Sequence, residues 1–281
     1  LSHTAVVAIE TNAFRVASLA AVFFPPTLTS IGTLAFGWNS ALLSVDLSMT
    51  GVVSIGGGAF AYCTFLGTVS FPPSLTSIAE GPSQTQWGAF ASTNVVEIDL
   101  SDTAVVSIGN YAFHECNNLA IVSFPTSVVS VGSFAFDKSQ LQVVDLSATG
   151  LVGVGDGAFS RCAQLAVVSL PSSLATIGSD AFNETAISAV DLSATGLVNV
   201  GDGAFSHCAA LASFQYPSTL KTIGAHAFDA SGLATAGLSN TQVKSIGQGA
   251  FAHCGGLQSV AFPTTLVAIQ LDAFAFCANL A

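Results

Sequence analysis

The chain has 281 residues, only 7% of them charged, and its 5 basic against 16 acidic residues leave a net charge of −11. Nucleic acid and anionic membrane surfaces both call for clustered Lys and Arg, so this balance excludes them as partners. Mean hydropathy is high, at +0.68, yet Ser, Thr, Gly, Asn or Pro breaks every apolar run well short of the about 20 residues that cross a bilayer.

The chain opens Leu-Ser-His-Thr, with no basic and apolar leader, and it starts and stops within a repeat. It therefore reads as a segment of a longer protein. Its closest approach to a membrane-spanning run, residues 19–24, stops at Pro25-Pro26. From there the recurring unit is Ala-Phe. The anchors are Phe14, Phe36, Phe60, Phe90, Phe113, Phe136, Phe159, Phe182, Phe205, Phe228, Phe251 and Phe274, with gaps of 22, 24 and 30 before Phe90 and 23 thereafter. The long gap holds seven extra residues, near 80–86. Gly81, Pro82 and a Ser-Gln-Thr-Gln run make it a loop, and Gln84, Gln86 and Trp87 are its candidate binding residues. Irregular loops on rigid scaffolds often carry function. Neutral drift within an array accounts for such an insertion equally well.

Beyond the loop the repeats alternate in type. Residues 112–132 carry Cys116 three positions after Phe and close on Phe-Pro; residues 135–155 carry Asp-Leu-Ser in place of Phe-Pro. Each repeat contains a short L-x-x-V-x-L run suited to a strand, with Leu165, Val168 and Leu170 facing inward and Ala166, Val167 and Ser169 facing outward. A second apolar pair, Leu174 and Ile177, re-enters the core; a Gly turn follows, and Ala-Phe reads as a helical or 3₁₀ turn. A coil of this size cannot bury its own apolar face, so neighbours must stack, with the strands in one parallel sheet and the Phe rings in one column. The expected fold is a β-rich repeat solenoid of the leucine-rich-repeat, α/β-horseshoe class. It is a single domain over 1–281 of about 12 coils, without long helices. At about 4.8 Å per strand it makes a rod roughly 60 Å long.

Residues 145–159 and 191–205 differ only at Gly153 against Asn199. Each copy contains Gly-Asp-Gly. A dinucleotide fingerprint needs a third glycine opening a full helix, and Ser160 and Ser206 stand where it would be. Gly-Asp-Gly therefore reads as a corner, with Gly permitting positive φ and Asp favouring the turn. His207-Cys208 and His253-Cys254 look like metal ligands, but lie two coils apart, too far to share an ion. No metal and no cofactor are expected. No nucleophile, base and oxyanion donor can be assembled, so no catalytic residues are assigned and the chain is read as no enzyme. The cysteines read as one column of buried thiols. Only Cys254 and Cys277 lie in adjacent coils, close enough for a possible disulfide. Asn183-Glu184-Thr185 is a lone glycosylation sequon.

The outward column of the strand face reads Asp46, Ser70, Asp99, Ser123, Asp145, Ser169, Asp191 and Gln215, then Gly237 and Ala261. Alternating Asp with Ser avoids stacking like charges one strand apart and would let neighbouring Ser hydroxyls meet the carboxylates. Two readings stand: solubility on a charge-poor surface, or a mildly acidic face that docks a protein.

The pattern L-x-x-V-x-[FL]-P, then I-G, then A-F-x-x-C, followed closely in residues 165–182, resembles the BspA-type leucine-rich repeat over essentially the whole chain. The Asp-Leu-Ser repeats depart from that pattern, lacking both Cys and Pro. The resemblance implies an extended, gently curved solenoid. It also implies a cell-surface or secreted protein that adheres to host, matrix or cell-surface proteins, or acts as a surface antigen. The alternative is a structural spacer or scaffold.

Overall fold

The computed structural model describes residues 5–81 and 87–281. It contains two compact units, Leu1–Leu141 and Gln142–Ala281. Each is a run of parallel β-solenoid coils, and no helix occurs among the described residues.

The regular sheet does not form on the L-x-x-V-x-L strands. In the first unit it runs through Ala8–Ile9, Ser30–Ile31, Ser54–Ile55, Ser77–Ile78, Ser107–Ile108 and Ser130–Val131 in that order. In the second it runs through Gly153–Val154, Thr176–Ile177, Asn199–Val200, Thr222–Ile223, Ser245–Ile246 and Ala268–Ile269. These are the expected core re-entry pairs, now seen as strands. Their inward residues are buried: Ile55 is fully covered and Ile177 is 2% exposed.

The L-x-x-V-x-L strands pair only in twos. Ser44–Asp46 pairs with Thr68–Ser70 and Glu97–Asp99 with Ile121–Ser123. In the second unit Val143–Asp145 pairs with Val167–Ser169, Ala189–Asp191 with Ser213–Gln215, and Thr235–Gly237 with Ser259–Ala261. The single continuous sheet expected here is therefore corrected, and residue spacing gives the reason. A Cys-type repeat uses 8 residues from Phe159 to Val167, and the next repeat uses 7 from Phe182 to Ala189. Strand starts then step by 24 from Val143 to Val167 and by 22 from Val167 to Ala189. Pairing occurs at the longer step. The re-entry strands keep a constant 23, from Gly153 to Thr176 to Asn199, and so pair without interruption.

The Phe column is present as expected. Successive rings of the first unit, from Phe14 to Phe136, stack at 5.2–5.4 Å and within 9° of parallel. Those of the second unit, from Phe159 to Phe274, stack at 5.2–5.6 Å and within 13°. The Phe of Phe-Pro meets this column edge-on, as in Phe71 to Phe90 at 5.8 Å. Tyr216 takes the same slot against Phe228. Its hydroxyl is buried without a hydrogen-bond partner, and burial pushes its ionisation far up.

The Ala-Phe segment is not helical. Residues two before and two after the anchor take the left-handed conformation, for example Leu34 (φ 56°) and Trp38 (φ 61°) around Phe36. Alternate N–H groups then point to the next coil: Leu34 donates to Gly57 O, Phe36 to Ala59 O and Trp38 to Ala61 O, at 2.7–3.0 Å. The intervening N–H groups close short turns, Ala35 to Gly32 O and Gly37 to Leu34 O. A helix would keep all these bonds within the coil. The alternating backbone exchanges some of them for a coil-to-coil ladder and so satisfies buried amides that otherwise lack partners.

Candidate functional site

The predicted strand-face column has the register expected of it. Asp46 lies beside Ser70, Asp99 beside Ser123, Asp145 beside Ser169 and Asp191 beside Gln215. The four aspartates, Ser70 and Gln215 are exposed, while Ser123 and Ser169 are half-buried. The strand pairs bring these residues together two by two. Strand pairing does not join Ser70 to Asp99 or Ser169 to Asp191.

The expected contact between carboxylate and neighbouring serine is corrected. Each Asp Oδ1 instead accepts from the serine two positions on in its own coil, at 2.9–3.0 Å from the backbone N–H and 2.6–2.7 Å from the hydroxyl: Ser48 to Asp46, Ser101 to Asp99, Ser147 to Asp145 and Ser193 to Asp191. The corner after the strand leaves one amide without a ladder partner. In Asp-Leu-Ser coils the Asp side chain accepts it; in Phe-Pro coils the same position is Pro72, Pro125, Pro171 or Pro217, which has no N–H to satisfy. The alternation of Asp-Leu-Ser with Phe-Pro is thus two solutions to one corner.

The serine side chain, and next its amide, hold the Asp46, Asp145 and Asp191 carboxyls below the ordinary range. A depressed folded-state pKa adds stability that is present above the unfolded-state value and is lost as pH falls through the folded one. We therefore expect this contribution to fade only below about pH 4. Carbon-detected NMR titration should place the Asp145 midpoint below the ordinary value. Ser147→Ala should move it up; an unmoved midpoint would show that the serine does not hold the carboxylate.

Beside the column, large apolar side chains face outward. Leu43 (61% exposed), Val96 (52%) and Ile121 (51%) lie in the first unit, and Val143 and Val167 in the second. Where strand pairing skips from Thr68 to Glu97, a groove of about 310 Å³ opens, lined by Gly67, Thr68, Val69, Val96, Glu97 and Asp99. No signal in the residue pattern pointed to this groove beyond the irregular strand spacing.

Of the loop candidates, Gln84 and Gln86 lie outside the described residues. Trp87 is half-buried and meets Trp38 edge-on at 5.0 Å; Trp38 stacks on Tyr62 at 5.2 Å and carries the Arg15 guanidinium 4.7 Å above its ring. Trp87 thus ties the end of the insertion to the coils.

The possible Cys254–Cys277 bridge is not formed; both thiols are free. Each points to the backbone of the coil before it, Cys254 donating to Phe228 O and Cys277 to Phe251 O, both at 3.0 Å. Cys63, Cys116 and Cys208 do likewise. Burial pushes the Cys63, Cys116 and Cys254 thiols up to about 11. Three positions after Phe, the Cys-free coils place Thr93, Thr185 or Ser231, whose hydroxyls lie 3.3 Å from the next thiol. This buried polar column escaped the sequence reading, although the Ser/Thr alternation with Cys was visible. It also takes the sequon's Thr185 into the core, at 5% exposed.

Gly-Asp-Gly is a corner. Gly157 and Gly203 have φ of 58° and 62°. Asp156 Oδ1 accepts the Ser179 N–H at 2.8 Å and Asp202 Oδ1 that of Ala225 at 2.7 Å. Asn110 does the same for Ser133. Among the described residues no group of three His, Cys, Asp or Glu side chains is placed to hold a metal ion, and no helix is long and apolar enough to cross a membrane.

The chain is similar to a leucine-rich repeat protein from Bacteroides ovatus of known structure, with 28% identity and a TM-score of 0.82 over 98% of this chain and 69% of that one. It also resembles a leucine rich cell surface protein from Faecalibacterium prausnitzii, with 21% identity and a TM-score of 0.50 over 98% of this chain and 82% of that one. No curated protein matches it. The model of the BspA type leucine rich repeat region matches residues 2–82, 84–197 and 192–281. With that coverage, and with the anchors, strands and glycine corners in place, the chain belongs to the BspA-type leucine-rich-repeat family.

Proposed function

We propose that residues 1–281 act as one non-catalytic binding module that docks a protein partner on the L-x-x-V-x-L strand face, at a cell surface or in a secreted setting. The observation that carries this reading is the groove containing Asp99 and Glu97 beside the exposed Val96. Apolar contact with acidic neighbours is the composition that receives a protein surface bearing Arg or Lys among apolar groups. The surface setting draws on the family and on the Faecalibacterium relative, described as a cell surface protein. A second reading, a spacer or scaffold, is favoured by the Asp-Ser corner bonds, which give the column a purely structural use.

One experiment separates the two. Asp99→Asn, Asp145→Asn and Asp191→Asn together remove the charges, while each amide oxygen can still accept from its serine. Binding to cells or to immobilised matrix proteins should fall by about tenfold or more, since charge-assisted contacts are the stronger ones, with the melting temperature little changed. Full attachment by a folded triple variant would leave the spacer reading standing.

A further inference from the structure

The chain has only 5 basic residues. Arg15 lies over the Trp38 ring, Lys138 bonds Glu115 at 2.6 Å, and Arg161 is also engaged within the protein. The other two, Lys221 and Lys244, are exposed and sit side by side. They precede Thr222 and Ser245, which pair in register, and the Lys244 N–H points at Lys221 O, 3.5 Å away. Their stems therefore leave the sheet one strand apart, about 4.8 Å. Among the described residues neither has a carboxylate within ion-pair distance. The same slot holds Val152, Ala175, Val198 and Val267 in the unit's other coils. Like charges directly opposite in a ladder are destabilising, and a chain with a net charge of −11 has carboxylates with which to avoid that.

We propose that Lys221 and Lys244 form a binding site for a single tetrahedral oxyanion, phosphate or sulfate. The two lysines line a groove of about 420 Å³ with Thr222, Gln242, Ser245 and Thr265. Donors converge there. Each ammonium offers three N–H groups. Gln242 uses one N–H on Ser218 O, leaving the other. Ser245 Oγ accepts from Gln270 and keeps its own hydrogen to give. The anion would bridge the two ammoniums and replace their repulsion with charge-assisted hydrogen bonds. The net negative charge of the chain keeps extended polyanions away, so a lone anionic group, free or carried on an otherwise neutral molecule, is what fits. This site is independent of the strand-face reading and stands or falls separately from it.

The test is NMR titration of the 281-residue chain with inorganic phosphate and, separately, inorganic sulfate, at ionic strength held constant with chloride. Saturable shifts confined to the signals around Lys221 and Lys244 are expected. Each of Lys221→Gln and Lys244→Gln should weaken binding by about tenfold, and Lys138→Gln should not. Without oxyanion, Lys244→Gln should leave the melting temperature unchanged or raise it, because the like-charge pair is gone. Added phosphate or sulfate should then stabilise wild type more than the variant. Titrating a sulfated disaccharide against its desulfated form, and a sugar phosphate against the sugar, identifies the carrier. Shifts that chloride reproduces, or that persist in the Lys221→Gln/Lys244→Gln double variant, would overturn the proposal.

Discussion

Phe205→Ala is expected to cost about 3–5 kcal/mol, as befits a fully buried ring of the second unit's stack. Phe205 is fully buried between Phe182 at 5.2 Å and Phe228 at 5.6 Å, and Phe214 meets its edge at 5.1 Å. Removing the ring opens a cavity and also ends three aromatic contacts, each worth about 0.5–1.5 kcal/mol beyond area burial. In a repeat array, stability is a sum over coils and their interfaces, and one Phe serves two interfaces. The loss should therefore show in urea unfolding as a lower midpoint and a shallower transition, because coils on either side uncouple. Phe274→Ala is the control. That ring is half-buried and stacks on Phe251 alone, at 5.3 Å, with Phe262 at its edge, so it should cost clearly less. Equal losses at both positions would mean that the column does not carry the coupling between coils.

The same column shows how much of the structure the residues disclosed. The Ala-Phe period located every ring of the stack, because one residue type at one spacing leaves one place for it. Asp and Ser of the strand face could be put in register for the same reason: Asp46 does lie beside Ser70, and Asp191 beside Gln215. What the pattern hid was backbone detail. Leu34, Tyr111 and Phe134 take positive φ, yet none of them is a turn former, so nothing in their identity argued against a helical turn. Neighbouring coils impose that conformation through the ladder of N–H groups. The Asp side chains show a related limit. Ser48 and Ser70 were both near enough to Asp46, and only the corner's need to satisfy an amide decides for Ser48. The groove at Asp99 depends on a strand step that skips pairing, a consequence of one residue shifted from one corner to the next.

Gly201→Ala tests a close approach between coils and is the second large effect expected. A Cβ at Gly201 would lie 2.4 Å from the Gly178 carbonyl carbon, 2.6 Å from its oxygen and 2.6 Å from Ser179 N. All three are backbone atoms of the neighbouring coil just past its Thr176–Ile177 strand, so relief requires the coils to separate, and the cost should be about 1–3 kcal/mol or more. Glycine holds the equivalent position at Gly32, Gly56, Gly109, Gly132, Gly155, Gly178, Gly224 and Gly247, whereas Glu10, Ala79 and Gln270 hold it in the first coil, next to the insertion and in the last coil. Two other glycines grade the explanation. Gly203 has φ 62°, and a Cβ there would meet the Asp180 carboxylate, a side chain that can swing away. Leu34, Tyr111 and His226 tolerate the same backbone elsewhere, so Gly203→Ala should cost about 1 kcal/mol. Gly237 would gain a Cβ with nothing within 4 Å, and Gly237→Ala should stay within about 0.5 kcal/mol of wild type. The three variants should therefore rank Gly201, Gly203, Gly237 in thermal or urea unfolding. If Gly203→Ala proved the most damaging, backbone conformation and not coil-to-coil contact would be what requires glycine in this array.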